Sequence, residues 1–162
     1  MSSASPAPAQ QPPMVGEDRL SFAIFSLARA HRAYAAGLLR DLGLHPGQEL
    51  LLMQLLDRDG QSQSELLNSV GLDHSTVSKS LRRMQEAGLL TREPAEHDRR
   101  VQLVRLTEQG RAMREPLRNM WATLEETSTK DLDAQEVETL VRLARKVENS
   151  MTERSRAQNS EG

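Results

Sequence analysis

The residues of this chain best suited to do chemistry are cations and hydroxyls along one helical face, followed by an arginine-bearing connector. Between His74 and Arg105 stand seven basic residues (Lys79, Arg82, Arg83, Arg92, Arg99, Arg100, Arg105) and four acidic ones (Glu86, Glu93, Glu96, Asp98). That segment carries +3 in a chain of net charge −2, so the remainder carries −5. Taken as a helix, the stretch after Asp73 puts Val77, Leu81 and Met84 on one side. Ser75, Lys79 and Arg82 fall opposite, flanked by Thr76 and Arg83. Such a helix suits the major groove of double-stranded DNA. Hydroxyls contact bases or phosphates, arginine takes guanine bidentately, and flanking cations neutralise phosphates. Any solvated surface helix also carries a polar face. The connector Glu96-His97-Asp98-Arg99-Arg100 separates the two readings, because two arginines at the tip of a thin projection suit a narrow minor groove.

Other chemistries find no support. The four histidines, His31, His45, His74 and His97, lie far apart with no metal-ligand spacing, so no metal site is expected. The absence of cysteine excludes disulfides, thiolate metal sites and thiol redox switches. Phosphate loops, nucleophile elbows, paired carboxylates and cofactor motifs are missing, so neither an enzyme nor a cofactor is expected. No apolar run reaches the roughly 20 residues of a membrane span. The start, MSSASPAPAQQPPMVGEDR, lacks the basic and apolar regions of a signal peptide, which makes the cytoplasm the expected location.

The elements that must position these residues are mostly helices. Only Phe22, Phe25, Tyr34 and Trp121 are aromatic, so aliphatic side chains carry the packing, which suits helices better than a sandwich of sheets. With 37% hydrophobic residues the core is lean, and some apolar surface is expected to bury against a second subunit. Residues 1–16, rich in Ala, Pro, Ser and Gln, and the polar residues 151–162 read as disordered tails. A broken apolar stripe over residues 17–42 reads as one helix, and Gln48–Arg58 as another that stops at Asp59-Gly60. Ser62 and Glu65 have capping-box spacing at the start of a short helix that Gly71 ends. Asp73 then caps the helix running to Gly88. Helix, short glycine-containing turn and helix make a helix-turn-helix. Leu89–Glu93 and Val101–Leu106 read as a two-stranded hairpin. Thr107 caps a helix through about Thr129, in which Pro116 must either kink the helix or shift its start. Met120 and Trp121 read as core or interface positions on it. Asp133-Ala134-Gln135-Glu136 opens a last helix with Val137, Leu140, Val141, Ala144 and Val147 at helical spacing. The fold class expected is mainly α with a small two-stranded β wing: a winged helix-turn-helix lobe plus a helical dimerisation region.

The stretch Leu66 to Thr107, and above all Asp-Arg-Arg followed by Leu-Val-Arg-Leu-Thr between Asp98 and Thr107, resembles the MarR family of multiple antibiotic resistance regulators. The resemblance covers residues 17–150 and implies a homodimer held by residues 17–42 and 107–150. Two DNA-binding lobes, residues 46–106, would sit on a pseudopalindromic operator. Ser75, Thr76, Lys79, Arg82 and Arg83 would then meet the major groove or its phosphates. Arg100, oriented by Asp98, would be the wing arginine, with Arg99 as an additional contact. The family also implies a small phenolic or carboxylate effector held between dimer base and DNA lobe. Phe25, Arg29, His31, Arg32, His45 and Met53 are the candidate lining. The main competitor is a winged-helix protein–protein module without sequence-specific DNA binding, against which the cations of helix and wing argue.

Overall fold

The computed structural model describes residues 20–160, so the expected tail over residues 1–16 lies outside the described residues. The first helix, α1 (Leu20–Asp41), and the second, α2 (Gln48–Asp57), are joined by the expected break around His45-Pro46-Gly47. A strand β1 of two residues (Gln61–Ser62) leads straight into α3 (Gln63–Val70) and then α4 (His74–Glu86). Strands β2 (Leu90–Pro94) and β3 (Gln102–Leu106) form the expected hairpin, with register running from Leu90 opposite Leu106 to Pro94 opposite Gln102.

The two-stranded wing is extended by β1 into a three-stranded sheet, with order β1-β3-β2 and all pairs antiparallel. Gln61 faces Val104 and Ser62 faces Leu103. Two residues ahead of a capping box carry no alternation that would mark a strand, and only β3 beside them makes them one. Gln61 is held by its own side chain: its buried amide donates to the carbonyls of Gln54 (2.9 Å) and Arg58 (2.6 Å), satisfying the open end of α2.

The core lies where α2, α3, α4 and the sheet meet. Leu51, Leu52 and Leu55 come from α2, Leu66 from α3, Leu90 and Val104 from the strands, all at most 1% exposed. Gly110 permits the closest approach here, since a Cβ at that position would run into the Leu89 carbonyl oxygen.

After β3 the single long helix expected from Thr107 is two helices, α5 (Glu108–Ala112) and α6 (Arg114–Thr129). Pro116 decides this. Its ring excludes a helical carbonyl four residues earlier, at Ala112, and the chain breaks at Met113. Pro116 then sits in the first turn of α6, where no backbone donor is needed. The last helix, α7 (Ala134–Ser160), opens on a reciprocal cap: Asp133 Oδ1 accepts from the Glu136 N–H and Glu136 Oε2 from the Asp133 N–H, both at 2.9 Å. It runs on through Ser160, where a frayed tail from residue 151 was expected. Met, Glu, Arg, Ala and Gln in that stretch are helix formers, and no Gly or Pro interrupts them; polarity by itself does not end a helix. The chain comprises two compact units, one ending at Leu124 and one beginning at Glu125.

Candidate nucleic-acid interface

The helix-turn-helix is built by local chemistry. Ser62 Oγ accepts from the Glu65 N–H (3.2 Å) while Glu65 Oε2 accepts from the Ser62 N–H (2.8 Å), so α3 begins on the expected capping box. The Ser62 N–H, and then Arg58, 3.0 Å away, hold the Glu65 carboxyl below its usual range. Gly71, at φ +64, turns the chain out of α3 in a left-handed conformation that a side chain would resist. The two helices are also linked by a bond the sequence does not advertise: the Gln63 amide donates to Ser78 Oγ at 2.6 Å.

Burial orients α4 as the wheel requires. Val77, Leu81 and Met84 are all 0% exposed. Ser75, Lys79, Arg82 and Arg83 therefore face solvent, with Thr76 half-buried beside them. Arg82 Nε stands 3.5 Å from Glu86 one turn later, an exposed pair of the weak, exchangeable kind. Asp73 is the N-cap and does more than cap. Its Oδ1 accepts from the Thr76 N–H (2.9 Å) and the Ser75 hydroxyl (2.7 Å), and its Oδ2 from the Thr76 hydroxyl (2.5 Å). These donors, the Thr76 hydroxyl foremost, hold the Asp73 carboxyl well below the usual carboxylate range.

The wing tip is ordered by its backbone. Asp98 Oδ1 accepts from the Arg100 N–H (3.0 Å) and the Asp98 carbonyl from the Val101 N–H (3.0 Å). The expected orienting of Arg100 by Asp98 thus acts on the main chain of the turn, leaving Asp98, Arg99 and Arg100 exposed. Two of the seven cations counted in this segment are drawn back into the lobe. Arg105 pairs with Glu93 at 3.3 Å and lies against Gly60, and Arg92 is half-buried on β2. Lys79, Arg82, Arg83, Arg99 and Arg100 remain exposed.

The wing is tied to the helices by Asp59, which the sequence suggests only as a helix stop. Its Oδ1 accepts from the Leu106 N–H (2.9 Å) and its Oδ2 from the Arg111 guanidinium (3.0 Å), joining the end of α2 to β3 and α5.

Of the six candidate effector residues, one lines a groove within the single chain. Met53 lines an open groove of about 370 Å³ with Leu56 and Asp57 of α2 and Arg114, Leu117, Arg118 and Trp121 of α6. Phe25, Arg29, His31, Arg32 and His45 are exposed and none of them lines it; the Phe25 ring instead neighbours Phe22, 6.2 Å between centroids. Trp121, expected in core or interface, presents its indole N–H to Met53 Sδ at 3.1 Å along the groove. Arg114 donates to the Leu56 carbonyl and Arg118 to Glu115 at 2.6 Å. These arginines escaped sequence reading because nothing in the chain pairs α6 with α2.

Residues 42–101, which run from the end of α1 to the wing, match the model of the MarR family. Across 138 residues the chain is 30% identical to the HTH-type transcriptional regulator MgrA of Staphylococcus aureus, covering 85% of this chain and 92% of MgrA. The mutant MarR of E. coli complexed with operator DNA superposes with a TM-score of 0.75 at 25% identity, over 85% of this chain and 99% of that one. BpsR of Bordetella bronchiseptica, whose DNA binding is regulated by 6-hydroxynicotinic acid, shares the fold with a TM-score of 0.74 at 24% identity, over 82% of this chain and 95% of that one. A helix-turn-helix whose second helix turns its cations outward, a wing beside it and this likeness over most of the chain agree: the chain belongs to the MarR family of transcriptional regulators.

Proposed function

We propose that this regulator binds a pseudopalindromic operator as a homodimer and acts as a ligand-responsive repressor in the cytoplasm. The observation that carries the reading is the complete burial of Val77, Leu81 and Met84, which turns the hydroxyls and cations of α4 outward beside an arginine-tipped wing. Ser75, Thr76, Lys79, Arg82 and Arg83 serve the major groove and its phosphates, and Arg100 and Arg99 the minor groove. Two copies of α4 one helical turn apart, about 34 Å, define the half-site spacing.

The second subunit is called for by apolar side chains left exposed in the single chain. On α1 these are Leu20, Ile24, Phe25 and Leu27; on α7 they are Leu140, Val141, Leu143 and Met151. A charged surface helix rarely carries so many, and a partner helix is the economical cover. The effector site we assign to the groove at Met53 and Trp121. Its aromatic and thioether lining suits a flat ring, and Arg114 and Arg118 suit a carboxylate. That BpsR, of the same fold, responds to an aromatic acid supports the same chemistry.

The test uses a duplex selected by the full-length protein from a random-core library. Arg100→Ala should weaken binding of that duplex about tenfold, or roughly 1.4 kcal/mol, at fixed salt while leaving the dimer intact. Unchanged affinity would remove the wing from the interface. Benzoate-type acids should lower the affinity of the wild type and not that of an Arg114→Gln, Arg118→Gln variant.

A further inference from the structure

We propose that Asp73 sets the polarity of the recognition helix by consuming the hydroxyl protons of Ser75 and Thr76, so that both side chains read DNA as hydrogen-bond acceptors only. The inference rests on the DNA-binding reading above and adds what those two residues recognise. A serine or threonine hydroxyl has one proton and two lone pairs, and a free rotor can offer either to a base or a phosphate. Here the rotors are set. The Ser75 proton points to Asp73 Oδ1 at 2.7 Å and the Thr76 proton to Oδ2, with the Thr76 N–H on Oδ1 fixing the carboxylate plane. A carboxylate is acceptor-only, so neither bond can run the other way. The depressed protonation of Asp73 keeps it so at any pH the cell meets. Ser78 on the same helix makes the contrast: its oxygen receives the Gln63 amide, so its proton is not consumed by that bond.

The consequence is a restriction on what can be read. In the major groove only the amino groups of adenine (N6) and cytosine (N4) donate; guanine O6 and N7, adenine N7 and thymine O4 accept. An oxygen with its proton spent matches the amino groups and is repelled by the acceptors and by phosphate. Ser75 and Thr76 are therefore selective for adenine or cytosine on the contacted strand, and phosphate neutralisation falls to Lys79, Arg82 and Arg83. Asp73 acts through them as a positioning residue and touches no base.

The probe is the duplex selected by the wild-type full chain, prepared in two analogue series. One removes the amino group at each adenine or cytosine in turn (purine, pyrimidin-2-one); the other replaces N7 by carbon at each purine. For the wild type, amino deletion at one or two positions per half-site should weaken binding by about fivefold, the scale of one net hydrogen bond. That sensitivity should vanish in Ser75→Ala or Thr76→Val, whereas neither variant should alter the 7-deaza profile. Asp73→Asn still caps the helix, but its amide donates toward Thr76 and frees the Thr76 proton. Selection repeated with Asp73→Asn should shift the base at that position toward one presenting an acceptor, with the protein still cooperatively folded at the assay temperature. A merely structural cap would lower affinity for all sequences alike and leave the selected base as it was. Amino deletions without effect, or effects that persist in both hydroxyl variants, overturn the proposal. If the wild type enriches no sequence at all, the DNA-binding reading fails and the proposal with it; if it enriches one indifferent to amino deletion, only the proposal fails.

Discussion

Helices α4 and α7 are both amphipathic, yet they dispose of their apolar side chains in opposite ways. Val77, Leu81 and Met84 of α4 are fully buried by the lobe that holds them. Leu140, Val141 and Leu143 of α7 keep 48%, 45% and 46% of their surface exposed. Helix α4 is completed inside one chain, so its outward face is defined before any partner arrives. The last helix carries a stripe that one chain leaves open, and the free energy of covering it, about 25 cal/mol per Å² of apolar surface, is available only on association. In the function proposed above, recognition is a property of the folded lobe, and the doubling that makes an operator-length footprint is a property of the pair.

The largest expected effect lies on the buried side of this contrast. Leu81→Ala should cost about 2–5 kcal/mol of stability, because it removes a side chain with no exposed surface from a close-packed core. Calorimetry or urea melts check it, and a cost below about 1 kcal/mol would mean that α4 is less firmly seated than its burial states. On the open side, Leu140→Glu with Leu143→Glu should leave the lobe folded but convert a dimer, about twice 18.1 kDa, toward the monomer at micromolar concentration in sedimentation. A dimer that survives both charges would move the subunit contact away from this stripe.

The smallest effect sharpens the contrast within α4 itself. Asp73 has a native protonation depressed by its hydroxyl and N–H donors, so its contribution to stability is present above its ordinary value of 3.8. That contribution is lost as pH falls below this value toward the native one. Asp73→Asn should lower stability at neutral pH modestly and flatten the acid limb of the stability profile below about pH 4, so that the variant and the wild type converge in acid. An unaltered acid limb would show that the cap bonds do not distinguish charged from neutral Asp73.

Much of the recognition element is legible in residue order because its causes are local. The Ser62–Glu65 capping box, the Gly71 turn, the Asp73 cap and the Val77–Leu81–Met84 stripe each span four to eight residues, and each is found in the folded chain. Pro116 is an intermediate case. Its sterics demand a break, and the fold chose a restart at Arg114 over a kink. What escaped reading is what distant segments create. β1 is a strand only because Val104 and Leu103 lie beside it. Asp59 bonds to partners 47 and 52 residues away. The Met53 groove gains Arg114, Arg118 and Trp121 from a helix about sixty residues on, and five of the six effector candidates lie outside it.

Residue order alone settles the helix-turn-helix, the hairpin after it and which face of α4 carries the cations. Those follow from hydrogen bonds and side-chain periodicity within a few residues, where chain connectivity has already brought the partners together. Tertiary structure decides which of seven cations stay outward, since Arg92 and Arg105 are withdrawn by packing and by Glu93. What the hydroxyls of Ser75 and Thr76 can say to a base is settled locally, once the folded start of α4 brings Asp73 against them. A rotor's direction belongs to the three-dimensional neighbourhood of a single proton, and in this chain Asp73 occupies that neighbourhood.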